Sequence, residues 1–335
     1  MWNTIGHERA VTHLKLGLEK GRLSHAYLLT GPRQVGKTSL AMDLARALNC
    51  LGDERPCGVC DQCGRIERGL HADVRIVGVE AGTSRGGGSR TSIGIDQVRE
   101  VQREASLKPY EGRYRVFVVD GAEHVTAEAA NSLLKTLEEP PDQVVIALLA
   151  PDVDVLPPTV VSRCQRLDLR PVALPLIARE LTARFQTDED RAAEIARLSQ
   201  GRPGWAFDAA NDPDKIEGLL EELDSIQSIL DAGLEDRFAY AQKTASAFTR
   251  DRESVRRQLA AWQAWLHDVF LVKHGVPQFA TYRSRLETLT TVANAMASAD
   301  VSRALRAVRE TADLMERNVN PRLALESMML VLPRG

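Results

Sequence analysis

Apolar residues recur along this chain with two different periods, and the change between them divides it. Near the N-terminus Val11, Leu14 and Leu18 fall at the spacing of one helical face and predict a helix over about Glu8–Lys20. The next stretch, His25-Ala26-Tyr27-Leu28-Leu29-Thr30, reads as a strand. A glycine-bounded loop closes it, and a helix carrying Leu40, Leu44 and Leu48 comes next. Further strands are predicted at Val74–Val79, Val116–Asp120, Val144–Leu149 and Arg166–Leu169. A helix over Ala127–Glu138 turns Ala130, Leu133, Leu134 and Leu137 inward and is stopped by Pro140-Pro141. Strands separated by helices imply a parallel sheet covered on both faces, an α/β domain over residues 1–168.

After Pro171 the strand signals cease. Asp188–Gln200 predicts a short helix ending at Gly201, and Arg202-Pro203-Gly204 predicts a turn. From Asp212 onward the pattern is helical and amphipathic. Val255, Leu259, Trp262, Leu266 and Val269 alternate steps of four and three, and so do Val301, Leu305, Val308, Ala312 and Met315. Such stripes form the core of a helical domain, and an oligomer interface would leave the same pattern. No internal repeat of fixed period is present.

Composition narrows the function classes. Of 335 residues, 44% are hydrophobic and 27% charged, which is globular rather than disordered. Lys plus Arg total 43 against 46 Asp plus Glu, a formal charge of −3, so autonomous nucleic-acid binding through an overall basic excess is disfavoured. Aromatic residues make up only 5%, too few for a surface built on base stacking. The best apolar run, Val144–Ala150, is seven residues long and reads as a buried strand, far short of the roughly 18 residues of a membrane span. Met1-Trp2-Asn3-Thr4 lacks a basic-then-apolar secretory signal, so a cytoplasmic location with no membrane contact is expected. The glycine-rich segment Gly82–Arg90 reads as a surface loop. Its Arg85 and Arg90 serve either a nucleic-acid backbone or a solvated linker.

Gly31-Pro32-Arg33-Gln34-Val35-Gly36-Lys37-Thr38 matches G-x-x-x-x-G-K-[ST] between a strand and a helix. Its glycines let backbone N–H groups face phosphate oxygens, and the helix dipole adds positive potential. Lys37 would reach the β- and γ-phosphates, and Thr38, with Ser39 beside it, would hold Mg²⁺. Asp120, at the end of the apolar run Val116–Val119, would lie near that metal. A hydrolysing site of the AAA+ type places a glutamate directly after this aspartate. Here Gly121 takes that place, and Glu123 comes two residues later, in a position to point elsewhere. The site is equipped to hold ATP with Mg²⁺ and poorly equipped to cleave it.

Four of the five cysteines, Cys50, Cys57, Cys60 and Cys63, lie within fourteen residues. Two overlapping C-x-x-C turns, with Cys50 looping back, can place four thiolates on one ion. Four thiolates with no open position describe a structural zinc site, with Zn–S bonds of about 2.3 Å. A thiol-exchange pair is the competing reading. His71 is a possible substitute ligand, although a surface histidine is the simpler assignment, and Cys164 stands apart.

Taken together, His25-Ala26-Tyr27-Leu28, the cysteine cluster, Ala129–Pro140 (A-A-N-S-L-L-K-T-L-E-E-P) and Ser162-Arg163-Cys164 resemble the clamp-loader subunits of bacterial DNA polymerase III. The likeness covers the first 210 residues, and the helical remainder fits by length and pattern. It implies an AAA+ P-loop domain with an embedded zinc module (1–168), a small helical lid (169–210) and a helical collar that assembles a ring (211–335). It also implies gamma/tau and delta subunits as partners, with the sliding clamp and primed DNA met as part of that complex. Own polymerase activity is not expected, and own ATPase is expected to be weak or absent.

Three departures favour the stator-like delta-prime type over the ATP-hydrolysing gamma/tau type. They are Asp120-Gly121, Ala150-Pro151 where polar residues would sense the γ-phosphate, and Pro203-Gly204 where a nucleotide-reading arginine would stand. The intact Gly36-Lys37-Thr38 keeps a gamma-like motor as the alternative. The resemblance assigns Arg163 as an arginine finger that reaches a neighbouring subunit's ATP, against the alternative of an internal salt bridge. Cys164 reads as a packing residue.

Overall fold

The computed structural model describes residues 1–79, 92–316 and 319–333; the Gly82–Arg90 segment lies outside them. The chain forms two compact units, Met1–Phe207 and Asp208–Gly335.

In the first unit, β1 (Ala26–Thr30), β2 (Val74–Val77), β3 (Arg115–Asp120), β4 (Val144–Ala150) and β5 (Gln165–Asp168) form a five-stranded sheet in the order β2-β3-β4-β1-β5. Every pair is parallel. Around it lie α1 (Glu8–Glu19), α2 (Lys37–Asn49), α3 (Asp61–Glu67), α4 (Ile95–Ala105), α5 (Ala127–Glu138) and the short α6 (Pro158–Val161). Then come α7 (Leu174–Phe185), α8 (Glu189–Leu198) and α9 (Pro203–Asn211).

Alternation along the strands sorts the core into two layers. Leu28, Phe117, Ile146 and Leu148 pack with Val98, Val101, Leu133 and Leu137 on one face. Tyr27, Leu29, Val118, Ala147 and Leu149 pack with Leu14, Leu40, Leu44 and Leu48 on the other. All seven residues of β4 are buried, as a central strand covered on both faces requires. The register places Thr30 beside Ala150 and Asp168, and Asp120 beside Leu149. One end of the sheet therefore collects the C-terminal strand ends, where ligands of open α/β sheets bind.

The structure departs from the sequence expectations in several places, and β5 covers Gln165–Asp168 rather than Arg166–Leu169. β2 stops at Val77 rather than Val79. Helices α3, α4, α6 and α7 are additions to the expected set. In α4 only Val98, Val101 and Ala105 are buried, and its start is fixed by the Gln97 side chain accepting from the Gly94 N–H at 3.1 Å. Arg202-Pro203-Gly204 is not a free turn, because Pro203 opens α9, a position where its missing N–H costs nothing.

The second unit is all helical among the described residues: α10 (Asp214–Asp231), α11 (Leu234–Arg250), α12 (Arg252–Lys273), α13 (Leu286–Ala295), α14 (Ser298–Glu316) and α15 (Pro321–Val331). The α12 stripe is buried throughout, with Trp262 and Trp265 at its centre. Arg237, buried on α11, donates to Ile229 O, Leu230 O, Met329 O, Leu332 O and Pro333 O. One guanidinium thus bonds carbonyls at and just past the C-terminal ends of both α10 and α15.

Candidate functional site

The loop after β1 is a preformed phosphate cradle. Gly31 has φ +143, and a Cβ there would lie 2.2 Å from Leu169 O, so only glycine fits against the end of β5. Gly36 caps α2 with φ +117, leaving the first N–H groups of a thirteen-residue helix directed at the loop. Lys37 is buried, and its Nζ donates to Gly31 O at 2.6 Å and Pro32 O at 2.9 Å. Burial lowers the ammonium pKa, opposed by the carboxylates of Glu123 and Asp120. Thr38 Oγ1 lies 3.2 Å from Asp120 Oδ2, so the two expected magnesium-side residues do meet. Ser39 is exposed in the first turn of α2. This donor set fits a nucleoside triphosphate with its magnesium: glycine-freed N–H groups, a lysine, a hydroxyl and a carboxylate.

Three features of the cradle escape motif reading. Glu123 does not point elsewhere. It sits in a single helical turn, Ala122–His124, that starts from Gly121 at φ +83, and its carboxylate lies 3.7 Å from Arg33 of the loop. His7 Nε2 lies 2.9 Å from Val35 O, tying the N-terminal segment to the loop. Gly204 N donates to Gln34 O at 2.9 Å, and a Cβ at Gly204 would stand 3.0 Å from that oxygen. Close backbone approach thus explains a glycine that the sequence registered only as a missing arginine. None of the three has a spacing signal, since each partner is remote in the chain.

The four cysteines converge as their spacing demands. The Sγ atoms of Cys50, Cys57, Cys60 and Cys63 all lie within 4.8 Å of one another, with Cys50 and Cys63 buried. Tetrahedral coordination at about 2.3 Å per bond needs sulfurs about 3.8 Å apart, so the cluster fits a tetrathiolate ion. Backbone N–H groups of Val59 and Cys60 push the Cys57 thiol down to about 6, while burial pushes Cys63 up to about 12. The exchange reading would need a pair rather than four mutually close sulfurs.

His71 is not a surface residue. It is buried, its Nδ1 accepts from Asp73 N at 3.1 Å, and it stands outside the sulfur cluster. It belongs to a polar clamp that joins the module to the sheet. Asp73 accepts from the N–H groups of Tyr110, Glu111 and Gly112, each at 2.8 Å. Asn49, next to Cys50, accepts from Arg113 N and Tyr114 N at 2.8 and 2.9 Å. Gln62, beside Cys63, donates to Glu111 O at 3.1 Å.

Arg163 lies just before β5, at the end of the sheet opposite the phosphate loop. Gln165 pairs with Tyr27, four residues before Gly31, which at about 3.3 Å per residue puts roughly 13 Å of strand between the two ends. The internal ion pair is present: Nη2 lies 2.5 Å from Glu138 Oε1, and Nη1 donates to Thr159 O at 2.7 Å. Cys164 packs at the margin of the core, and burial raises its thiol to about 11, which leaves it inert.

Sheet order, phosphate loop and acidic strand end define a P-loop α/β domain of the AAA+ class. A family model described as "DNA polymerase III, delta subunit" matches residues 6–173, half of the chain, and the chain belongs to that family. The tau subunit of Escherichia coli (strain K12) DNA polymerase III is 36% identical over 206 residues, covering 59% of this chain and 30% of the relative. The chain thus spans about a third of the length of such curated relatives. The delta' subunit of Bacillus subtilis (strain 168) is 27% identical over 330 residues, covering 98% and 96%. Among solved structures, a Thermotoga maritima protein related to the gamma subunit aligns with a TM-score of 0.43 at 19% identity, covering 96% of this chain and 97% of its own. No helix among the described residues is long and apolar enough to cross a membrane.

Proposed function

We propose that this chain is a delta-prime-type clamp-loader subunit that supplies Arg163 to the nucleotide of a neighbouring subunit. The observation that carries the reading is the separation of the two ends of the sheet. The chain's own phosphate loop lies at one end and Arg163 at the other, so this arginine serves a nucleotide that the chain does not itself hold. The match to the Bacillus subtilis delta' subunit, along nearly the full length of both chains, supports the sub-type. Residues 1–168 act as the AAA+ domain, 169–210 as its lid and 211–335 as the ring-forming collar. The partners are gamma/tau and delta subunits, the sliding clamp and primed DNA.

When bound by the neighbour, ATP supplies the γ-phosphate on which negative charge grows during hydrolysis. The planar guanidinium of Arg163 donates to that charge in a fork geometry. In this chain's own site Gly31, Gly36, Lys37, Thr38, Ser39 and Asp120 hold nucleotide and magnesium, and no carboxylate occupies the residue after Asp120 to orient water. Cys50, Cys57, Cys60 and Cys63 hold a structural zinc ion that takes no part in the chemistry.

The test is a reconstituted loader carrying Arg163→Ala. Assembly should persist while DNA-stimulated ATPase at the neighbouring site falls, by about 10³–10⁵-fold if the finger supplies what trans arginines supply elsewhere. Unchanged ATPase in an assembled complex would overturn the reading. A gamma-like motor is the second reading, favoured by the Thr38–Asp120 contact and by Glu123 facing the loop. Titration of the isolated chain with a fluorescent ATP analogue separates the two. Binding without turnover fits the delta-prime type, and turnover abolished by Lys37→Ala fits the motor.

A further inference from the structure

Three strings that are remote in the chain meet at the end of the sheet away from the phosphate loop. His25, just before β1, sets its Nε2 2.9 Å from Leu137 O in the last turn of α5. The next residue, Glu138, ends that helix and holds Arg163 Nη2 through Oε1 at 2.5 Å. Arg163 Nη1 donates to Thr159 O at 2.7 Å and faces Ser162 Oγ at 3.3 Å. The guanidinium is thus folded back on its own chain, against a carboxylate delivered from a braced helix end. Both side chains stay solvent-accessible, Arg163 at 33% and Glu138 at 50%, so the pair can open without disturbing the core.

We infer that Glu138 is the resident counter-ion of Arg163, a positioning residue that holds the guanidinium in place and yields it to the nucleotide phosphate of an adjoining subunit. The inference rests on the trans-acting role of Arg163 proposed above and adds to it an exchange of partners. Carboxylate and phosphate are both ligands of the same guanidinium fork. Arg163 cannot satisfy both with the same Nη2, so nucleotide binding next door opens the pair. The energy of an exposed ion pair corresponds to a factor of about 2–5 in an equilibrium constant, and that factor opposes ATP binding by the neighbour. The bond from His25 to Leu137 O keeps the end of α5, and with it Glu138, in register with β1.

The experiment is steady-state ATP hydrolysis by the reconstituted loader on primed DNA, at varied ATP, with this chain carrying Glu138→Ala, Glu138→Gln, Arg163→Ala or both alanines. Glu138→Ala should lower the KM for ATP about 2–5-fold with kcat unchanged. Glu138→Gln keeps a neutral acceptor and should fall between it and the parent. In the Arg163→Ala background, Glu138→Ala should add no shift, which a merely structural role would not produce. An unchanged or higher KM for Glu138→Ala, in complexes that assemble and respond to Arg163→Ala, overturns the inference, as does an equal shift in the Arg163→Ala background. If Glu138→Ala fails to assemble, Glu138→Gln decides alone on the same criterion. A silent Arg163→Ala overturns the trans role itself, and the exchange with it.

Discussion

Replacing Asp73 by Ala would loosen the segment Tyr110–Gly112 that braces the four-cysteine module, without touching a single cysteine. The carboxylate is buried and accepts three backbone N–H groups of the segment Tyr110–Gly112, each at 2.8 Å, with Arg115 3.4 Å away. The same segment is bound through Glu111 to Gln62 and Arg65 of α3, on the module side, and to Ala72 N next to Asp73. A hydrogen bond to a charged acceptor contributes about 1.5–3 kcal/mol, but the freed N–H groups lie in a loop that water can reach. The net loss for three such bonds is therefore set at about 3 kcal/mol, below the gross sum. Urea unfolding monitored by circular dichroism at pH 7 measures it. A loss below about 1 kcal/mol would refute the claim that Asp73 clamps the loop, because even one charge-assisted bond would exceed it.

The same residue carries a pH signature whose sign is fixed. Burial raises the Asp73 pKa, but the N–H groups of Tyr110, Gly112 and Glu111 and the charge of Arg115 together hold it below its ordinary value. A depressed folded-state pKa contributes stability that is complete above the unfolded value of about 3.9 and is lost as pH falls through the lower folded one. The parent protein should lose stability along that limb. Asp73→Ala should show a shallower acid limb, and an identical one would remove Asp73 from the account.

Other consequences are equally accessible. Arg237→Met removes a shared donor from five carbonyls at or just past the ends of α10 and α15, of which Ile229 O keeps the Ala232 N–H, and should destabilise the helical unit by about 3 kcal/mol; a melting curve like the parent's would contradict this. Protein purified without added metal should hold about one zinc per chain, and Cys50→Ser or Cys63→Ser should release it, as elemental analysis would report. Lys37→Ala should weaken binding of a fluorescent ATP analogue at least about tenfold, because it removes the cation of the cradle; equal binding would mean that the cradle is vestigial.

Local chemistry is what makes a sequence legible. The glycines of the phosphate loop, the apolar run into Asp120 and the C-x-x-C spacing can each be read because residue and role lie within a few positions. The strands, α2 and α5 are expected close to where they fold. Helix α4 is not, because its buried side needs only Val98, Val101 and Ala105, and its polar residues outnumber them. His71 reads as surface because histidine usually is, and the groups that bury it come from separate segments of the chain. Glu123 reads as a displaced glutamate of no consequence because nothing local announces the turn at Gly121 that brings it to Arg33.

The same physics explains why three of the four strings that carry the family resemblance are scattered along the chain. His25, the end of α5 and Ser162-Arg163-Cys164 are spread over about 140 residues, yet the first two are joined by a backbone-directed bond and the last two by an ion pair. A parallel sheet gathers the residues that precede its strands at one end and those that succeed them at the other. The phosphate loop and Asp120 occupy the second end, and the braced arginine occupies the first. A subunit built this way presents a nucleotide cradle in one direction and a guanidinium in the opposite one. The proposed trans role uses that arrangement by setting one molecule's first end against another's second. Under the function proposed above, an acidic net charge is no obstacle to working on DNA, since the proposed chemistry is directed at nucleotide phosphate and at neighbouring protein.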